Sequence, residues 1–224
     1  MAENTILQEG IRLYNAKSYA EALTFFLSLP TDASVDSIET AYYIGLCYSQ
    51  LERYEDAMLY LEQVVTSDME QERVLQCRFL LAVIYCMSGR KRLAEFELQK
   101  LLETGYKQAS VDAAMAFIAW QQKSVDKAIE LYEKALSSDE DNVTALNGLG
   151  YVLACEERDL KRALSYCKKA QQLEPRSAAC LDSLGWVYYK LGLRDDALNY
   201  LRQAAKLAGQ NEEIAEHLRL AEME

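Results

Sequence analysis

The chain has 224 residues, of which 50% are hydrophobic and 26% are charged, and its formal net charge is −11. This negative balance argues against a nucleic-acid-binding protein, because such proteins need a dense basic surface to displace counterions from phosphates. No run approaches the ~20 apolar residues of a membrane-spanning helix, so we expect no direct membrane insertion. Residues 1–5 lack the basic and long apolar regions of a secretory signal, which predicts a cytoplasmic protein, with a removed signal or lipoprotein leader as the alternative.

The residue types that carry most enzyme and metal chemistry are sparse and scattered. The six cysteines show no CxxC spacing and fall in predicted helices, so we interpret them as free thiols in a reducing compartment. The single histidine, His217, is interpreted as an exposed residue of the last helix. Because it has no neighbouring nucleophile and no cluster of metal ligands, the sequence predicts no catalytic residues, no metal and no cofactor.

Six copies of one pattern follow each other along the chain, opening at residues 3, 38, 75, 109, 143 and 178. Each copy places a small residue in a first helical segment, then an alanine and a larger residue in a second. In chain order these residues are Gly10, Ala22 and Phe26; Gly45, Ala57 and Leu61; Ala82, Ala94 and Leu98; Ala116, Ala128 and Tyr132; Gly150, Ala163 and Cys167; and Gly185, Ala197 and Leu201.

The helix boundaries carry their own signals. Ser18 and Glu21 have the spacing of a capping box at the second helix of the first copy. Extra residues near 69–74, between the second and third copies, are expected to lengthen a helix or loop. Asn142 and Ser177 are predicted to cap the N-termini of the first helices in the fifth and sixth copies. Beyond the sixth copy, an amphipathic helix is predicted over residues 212–223, with Ile214, Leu218 and Ala221 facing the preceding copy.

The sixth copy reads Leu181-x-x-Leu184-Gly185-x-x-Tyr188, followed by Ala197 and Leu201, and resembles the tetratricopeptide repeat (TPR), a unit of about 34 residues. Six tandem copies make this resemblance cover nearly the whole chain. It implies an all-α fold, a right-handed α-solenoid superhelix of helix-turn-helix repeats. We expect a single array over residues 1–224, closed by the capping helix 212–223.

In the family that this chain resembles, one side of the first helices lines a concave groove. At ~100° per residue, positions 5, 9 and 12 of each repeat lie opposite the packed side. Almost all are apolar here and none is basic, so the carboxylate-binding clamp of some family members is missing. The predicted partner-binding residues are Leu7, Ile11, Tyr42, Leu46, Phe79, Val83, Phe117, Trp120, Tyr151, Trp186 and Tyr189.

The sequence therefore predicts a non-catalytic scaffold that binds a hydrophobic or amphipathic segment of a partner protein or peptide in an apolar groove. The alternative is a structural subunit that forms a homo-oligomer through the groove or an end face. Phe117 and Trp186 are expected to point away from the packed side of their helices, so that replacing them would spare the fold.

Overall fold

A computed structural model describes residues 3–30, 36–67, 70–209 and 211–223, and these residues form α-helices and no strand. The all-α helical-repeat fold expected from the sequence is confirmed. The thirteen helices are α1 (Glu3–Asn15), α2 (Tyr19–Leu27), α3 (Ser37–Gln50), α4 (Tyr54–Ser67), α5 (Gln71–Met87), α6 (Lys91–Thr104), α7 (Gln108–Gln121), α8 (Val125–Ser138), α9 (Val143–Cys155), α10 (Leu160–Leu173), α11 (Ala178–Lys190), α12 (Arg194–Ala208) and α13 (Glu212–Met223).

The chain divides into two compact units, Met1–Tyr106 and Lys107–Glu224. The first unit contains α1–α6 as three helical hairpins. The second contains α7–α12 as three further hairpins, followed by α13, which packs against α12 and α11. A single continuous array over residues 1–224 stays a prediction, and each unit is described by itself.

Close approach of the two helices within a hairpin explains the small residue of the repeat pattern. A Cβ atom placed on Gly185 of α11 would lie 2.7 Å from Cγ of Leu201 in α12, and one placed on Gly45 of α3 would lie 2.8 Å from Cδ2 of Leu61 in α4. Both leucines are fully buried. Glycine at these positions therefore allows the leucine to pack directly on the backbone of the partner helix.

Side-chain caps fix the start of several first helices. Asn142 Oδ1 accepts a hydrogen bond from Ala145 N–H at 3.0 Å, and Ser177 Oγ accepts one from Cys180 N–H at 3.4 Å, as predicted. Asn211 Oδ1 caps α13 in the same way, through Ile214 N–H at 3.1 Å. The capping box predicted at Ser18 is wrong, because its side chain makes no capping hydrogen bond.

The extra residues of the third repeat lengthen its first helix. α5 begins at Gln71, four residues before the predicted opening at 75, and extends over 17 residues to Met87. Part of the expected insertion, including Met69, lies outside the described residues. No helix in the described part of the chain is both long and apolar enough to cross a membrane.

Candidate functional site

The first helices of the second unit border a cavity of about 420 Å³ that is open to solvent on one side. Its walls come mainly from α7, α9 and α11, with Tyr132 contributed by α8 and Glu174 by the end of α10. Asn211, Glu213 and Ile214, at the start of α13, line one side of it. The capping helix therefore contributes directly to the site, in addition to covering the end of the repeats.

Three of the predicted partner-binding residues line this cavity, namely Phe117, Trp120 and Tyr151. The Phe117 side chain is 38% exposed, whereas Trp120 and Tyr151 are partly buried. The Trp120 and Tyr151 rings meet edge to face, with centroids 6.5 Å apart and planes inclined by 85°. The edge-to-face contact is a favoured geometry for aromatic pairs and fixes both rings at the cavity wall.

Trp186 does not lie open to a partner, which corrects the expectation from the sequence. Only 9% of this residue is exposed, because the His217 ring of α13 stacks on it with centroids 4.2 Å apart. Tyr189 stacks beside Trp186 at 4.9 Å and is partly buried. Neither Trp186 nor Tyr189 lines the cavity. Trp186 faces α13, a neighbour that the position of a residue within its own helix does not reveal.

His217 is also corrected, since it is buried and not an exposed helix residue. Its Nδ1 lies 2.9 Å from Oδ2 and 3.0 Å from Oδ1 of Asp182, a geometry in which the ring N–H donates to the carboxylate. Burial raises the pKa of Asp182 above its ordinary value, although the hydrogen bond and charge of His217 act in the opposite direction. The pair joins α13 to the middle of α11.

A second polar contact joins α13 to α9. The Tyr151 hydroxyl donates a hydrogen bond of 2.5 Å to Oε1 of Glu213. Burial, followed by this hydrogen bond, raises the pKa of the Tyr151 hydroxyl, so it stays protonated and continues to donate at neutral pH. The start of α13 is therefore held at the cavity by contacts to two different first helices.

The remaining predicted residues lie in the first unit and do not contribute to this cavity. Two of them, Leu7 and Leu46, are buried, which corrects the expectation that they lie open along a groove. The Tyr42 hydroxyl donates a hydrogen bond of 2.8 Å to Oε1 of Gln76, so its polar end is already satisfied. Four members of the predicted set are partly buried here, namely Ile11, Tyr42, Phe79 and Val83.

The prediction did not include several polar residues at the cavity. Asn147 Oδ1 is buried and has no hydrogen-bond partner, while Asp182, Glu213 and Glu174 bring carboxylates. The sequence contains a signal for two of them. Asn147 and Asp182 occupy a groove position that carries an apolar or aromatic residue in the other repeats. His217 also belongs to the apolar stripe of α13, three residues after Ile214, where a buried side chain would be expected.

The cysteine thiols are poorly suited to nucleophilic chemistry. All six are free. Burial raises the pKa of Cys47 and of Cys86 to about 11, and it raises those of Cys155, Cys167 and Cys180 as well. A thiol with a raised pKa carries little of the reactive thiolate at neutral pH. Within the described ranges, no group of three or more His, Cys, Asp or Glu residues could hold a metal ion.

The fold and the cavity define a protein built from repeated helical hairpins, with a ligand-sized space between successive first helices. Models of the tetratricopeptide repeat match residues 38–68, 112–178 and 177–210, together more than half of the chain. The chain belongs to the tetratricopeptide repeat family. Members of this family generally mediate protein–protein interactions and are generally not enzymes.

Two curated relatives come from Pseudomonas aeruginosa. The TPR repeat-containing protein PA4667 is 41% identical over 83 residues, which are 37% of this chain and 14% of that protein. The type IV pilus assembly protein PilF is 27% identical over 143 residues, which are 63% of this chain and 56% of PilF. The matched region thus spans less than two thirds of either relative.

Among solved structures, a tetratricopeptide repeat protein from Parabacteroides merdae is similar over 97% of this chain and 83% of its own, with a TM-score of 0.77. The two sequences are 16% identical. At that identity the likeness supports the fold alone.

Proposed function

We propose that this chain is a non-catalytic scaffold that binds a hydrophobic or amphipathic segment of a partner protein in the cavity of the second unit. The observation that supports it most is the exposed Phe117 beside the partly buried Trp120 and Tyr151, around a cavity of about 420 Å³. Aromatic walls that alternate with polar groups such as Asn147 and Glu213, around a cavity of this size, are features of a binding site.

The proposed binding mode follows from how amphipathic segments bind grooves. A partner helix presents apolar side chains at i, i+3 or i+4 and i+7, and these insert between the helices that line the site. Aromatic side chains dominate the binding energy of such interfaces, since they remove a large area from water at a small cost in conformational entropy. Phe117 and Trp120 are the proposed anchors.

The relatives agree with a role in binding other proteins. PilF is named as a type IV pilus assembly protein, and the family generally acts through protein–protein contacts. Cysteines that form no disulfide in the described part of the chain agree with a reducing compartment, and we propose the cytoplasm. Occupation of the cavity by a second copy of the chain is the competing arrangement.

The test uses peptides selected from a phage-displayed random library on the full 224-residue chain. We expect Phe117→Asp to weaken their binding by roughly 30- to 1000-fold, which corresponds to about 2–4 kcal/mol. The matched control is Leu207→Asp, since Leu207 is 53% exposed on α12 and does not line the cavity.

Two results would oppose the proposal. The first is equal binding to the Phe117→Asp and Leu207→Asp variants. The second is a stable dimer in light scattering at all concentrations that Phe117→Asp converts to a monomer, because the cavity would then belong to a self-association surface.

A further inference from the structure

The charged side chains that line the cavity all have the same sign. Asp182, Glu213 and Glu174 contribute carboxylates, and no lining residue is a lysine or arginine. The Asp182 carboxylate is already hydrogen-bonded to His217 Nδ1, whereas Glu213 and Glu174 are exposed. The exposed Lys123 comes within 5.8 Å of the Trp120 ring but is not one of the lining residues. The cavity thus offers negative charge to whatever enters it.

Asn147 adds an acceptor that the protein leaves unused. Its Oδ1 has less than 1 Å² of accessible surface and no hydrogen-bond partner, and the residue lines the cavity. Leaving a buried acceptor unpaired is unfavourable, so a ligand that donates a hydrogen bond to it, once the Asn147 side chain turns into the cavity, recovers this cost. A purely aliphatic ligand would leave Asn147 Oδ1 unpaired, and a carboxylate would meet like charge from Glu213 and Glu174.

The aromatic walls favour one kind of donor. A cation is attracted to the face of an aromatic ring, and the planar guanidinium group also stacks on it. Guanidinium is more weakly hydrated than ammonium and carries several N–H donors in a fixed arrangement, so it can contact a ring and two acceptors at the same time. Trp120 and Tyr151 supply the rings, and Glu213 and Asn147 supply the acceptors.

We propose that the cavity binds an arginine side chain of the partner, presented within an otherwise apolar segment. This inference rests on the proposed function and specifies its partner as a basic amphipathic segment. The apolar neighbours of the arginine contact Phe117, while the guanidinium lies among Trp120, Tyr151, Asn147 and Glu213. A partner segment with a glutamate at the same position is excluded by charge.

The experiment uses the peptides selected from the phage-displayed library. We expect arginine to be enriched next to Leu, Phe or Trp, and we expect replacement of that arginine by citrulline to weaken binding at least about tenfold. Citrulline keeps the planar shape but removes the charge and some of the N–H donors, so the comparison tests the cationic donor group as a whole. The corresponding glutamate peptide should not bind.

A second experiment tests whether the peptide arginine pairs with Glu213. Glu213→Gln should weaken the arginine peptide about five- to tenfold and leave the citrulline peptide unchanged, because glutamine still accepts the Tyr151 hydrogen bond. Glu212→Gln is the matched control, since Glu212 is the preceding exposed residue of α13 and does not line the cavity. It should affect neither peptide.

The possible failures are distinguishable. Peptides that depend on Phe117 but bind equally well with arginine or citrulline would overturn the arginine proposal and leave the proposed function standing. Arginine peptides that are insensitive to Phe117→Ala, which removes the ring without adding a carboxylate, would show that they bind elsewhere, and both proposals would fail.

Discussion

The His217 ring of α13 stacks on the Trp186 ring of α11, with centroids 4.2 Å apart and planes inclined by 19°. The same histidine bonds to Asp182, one helical turn away on α11. Through these two contacts the capping helix covers apolar surface that the last repeat would otherwise expose to water. What remains open is the cavity bounded by Phe117, Trp120 and the start of α13.

Trp186 is therefore expected to support stability, in contrast to Phe117. Trp186→Ala should lower the free energy of unfolding by about 3–5 kcal/mol, because it removes a buried aromatic ring and leaves a cavity. Phe117→Ala should cost less than about 1 kcal/mol, because its side chain is 38% exposed. Urea denaturation of both variants gives the comparison. Equal losses would contradict the different positions of the two side chains.

The Asp182–His217 pair predicts a pH dependence. His217→Ala leaves the buried Asp182 carboxylate without its partner, which destabilises the protein at neutral pH. Burial raises the pKa of Asp182 above 3.8, so the folded state takes up a proton at a higher pH than the unfolded state does. The contribution of Asp182 to the free energy of unfolding is therefore fully present below about pH 4, the ordinary pKa of aspartate. It is lost as the pH rises through the raised pKa of the folded state.

The measurement compares His217→Ala with His217→Ala/Asp182→Asn, which lacks the titrating carboxylate. As the pH falls from 7 towards 4, the single variant should gain unfolding free energy relative to the double variant. A difference that stays constant with pH would show that Asp182 becomes hydrated once His217 is removed.

The fold could be predicted because its determinants are local. The Gly185–Leu201 contact lies inside one hairpin, and the α13 stripe lies inside one helix, so both are visible as short periodic patterns. The burial of Trp186 depends instead on the position of His217, which is fixed by its contact with Asp182, 35 residues away in the sequence. A pattern within one helix cannot predict such a contact. Leu7 and Leu46 were assigned to an open groove for the same reason, since their burial depends on neighbouring helices.

The close contact between Gly185 and Leu201 predicts non-additive substitutions. Alanine is favoured over glycine in a helix by about 1 kcal/mol, but its Cβ would lie 2.7 Å from Leu201 Cγ. We expect Gly185→Ala to destabilise the protein by about 1–3 kcal/mol in the presence of Leu201. In a Leu201→Ala background the same substitution should cost less, although the new Cβ still lies 3.0 Å from the main-chain nitrogen of residue 201. A double-mutant cycle with no coupling energy would rule out this steric explanation.

The raised thiol pKa values predict slow alkylation. For Cys86, which is partly buried and has a pKa of about 11, the rate of iodoacetamide modification should rise about tenfold per pH unit from pH 7 to pH 10. Mass spectrometry of the labelled peptides provides the rate for each cysteine. A rate for Cys86 that reaches a plateau at or below pH 8 would indicate an activated thiolate, in conflict with a non-catalytic role.

The central claim, that the cavity of the second unit binds the partner segment, is tested most directly by site-specific photo-crosslinking. Benzoylphenylalanine is introduced at position 117 in one sample and at position 207 in another, and each is irradiated with the same selected peptide. We expect a peptide crosslink from position 117 and none from position 207. Crosslinking from position 207 with none from position 117 would contradict it.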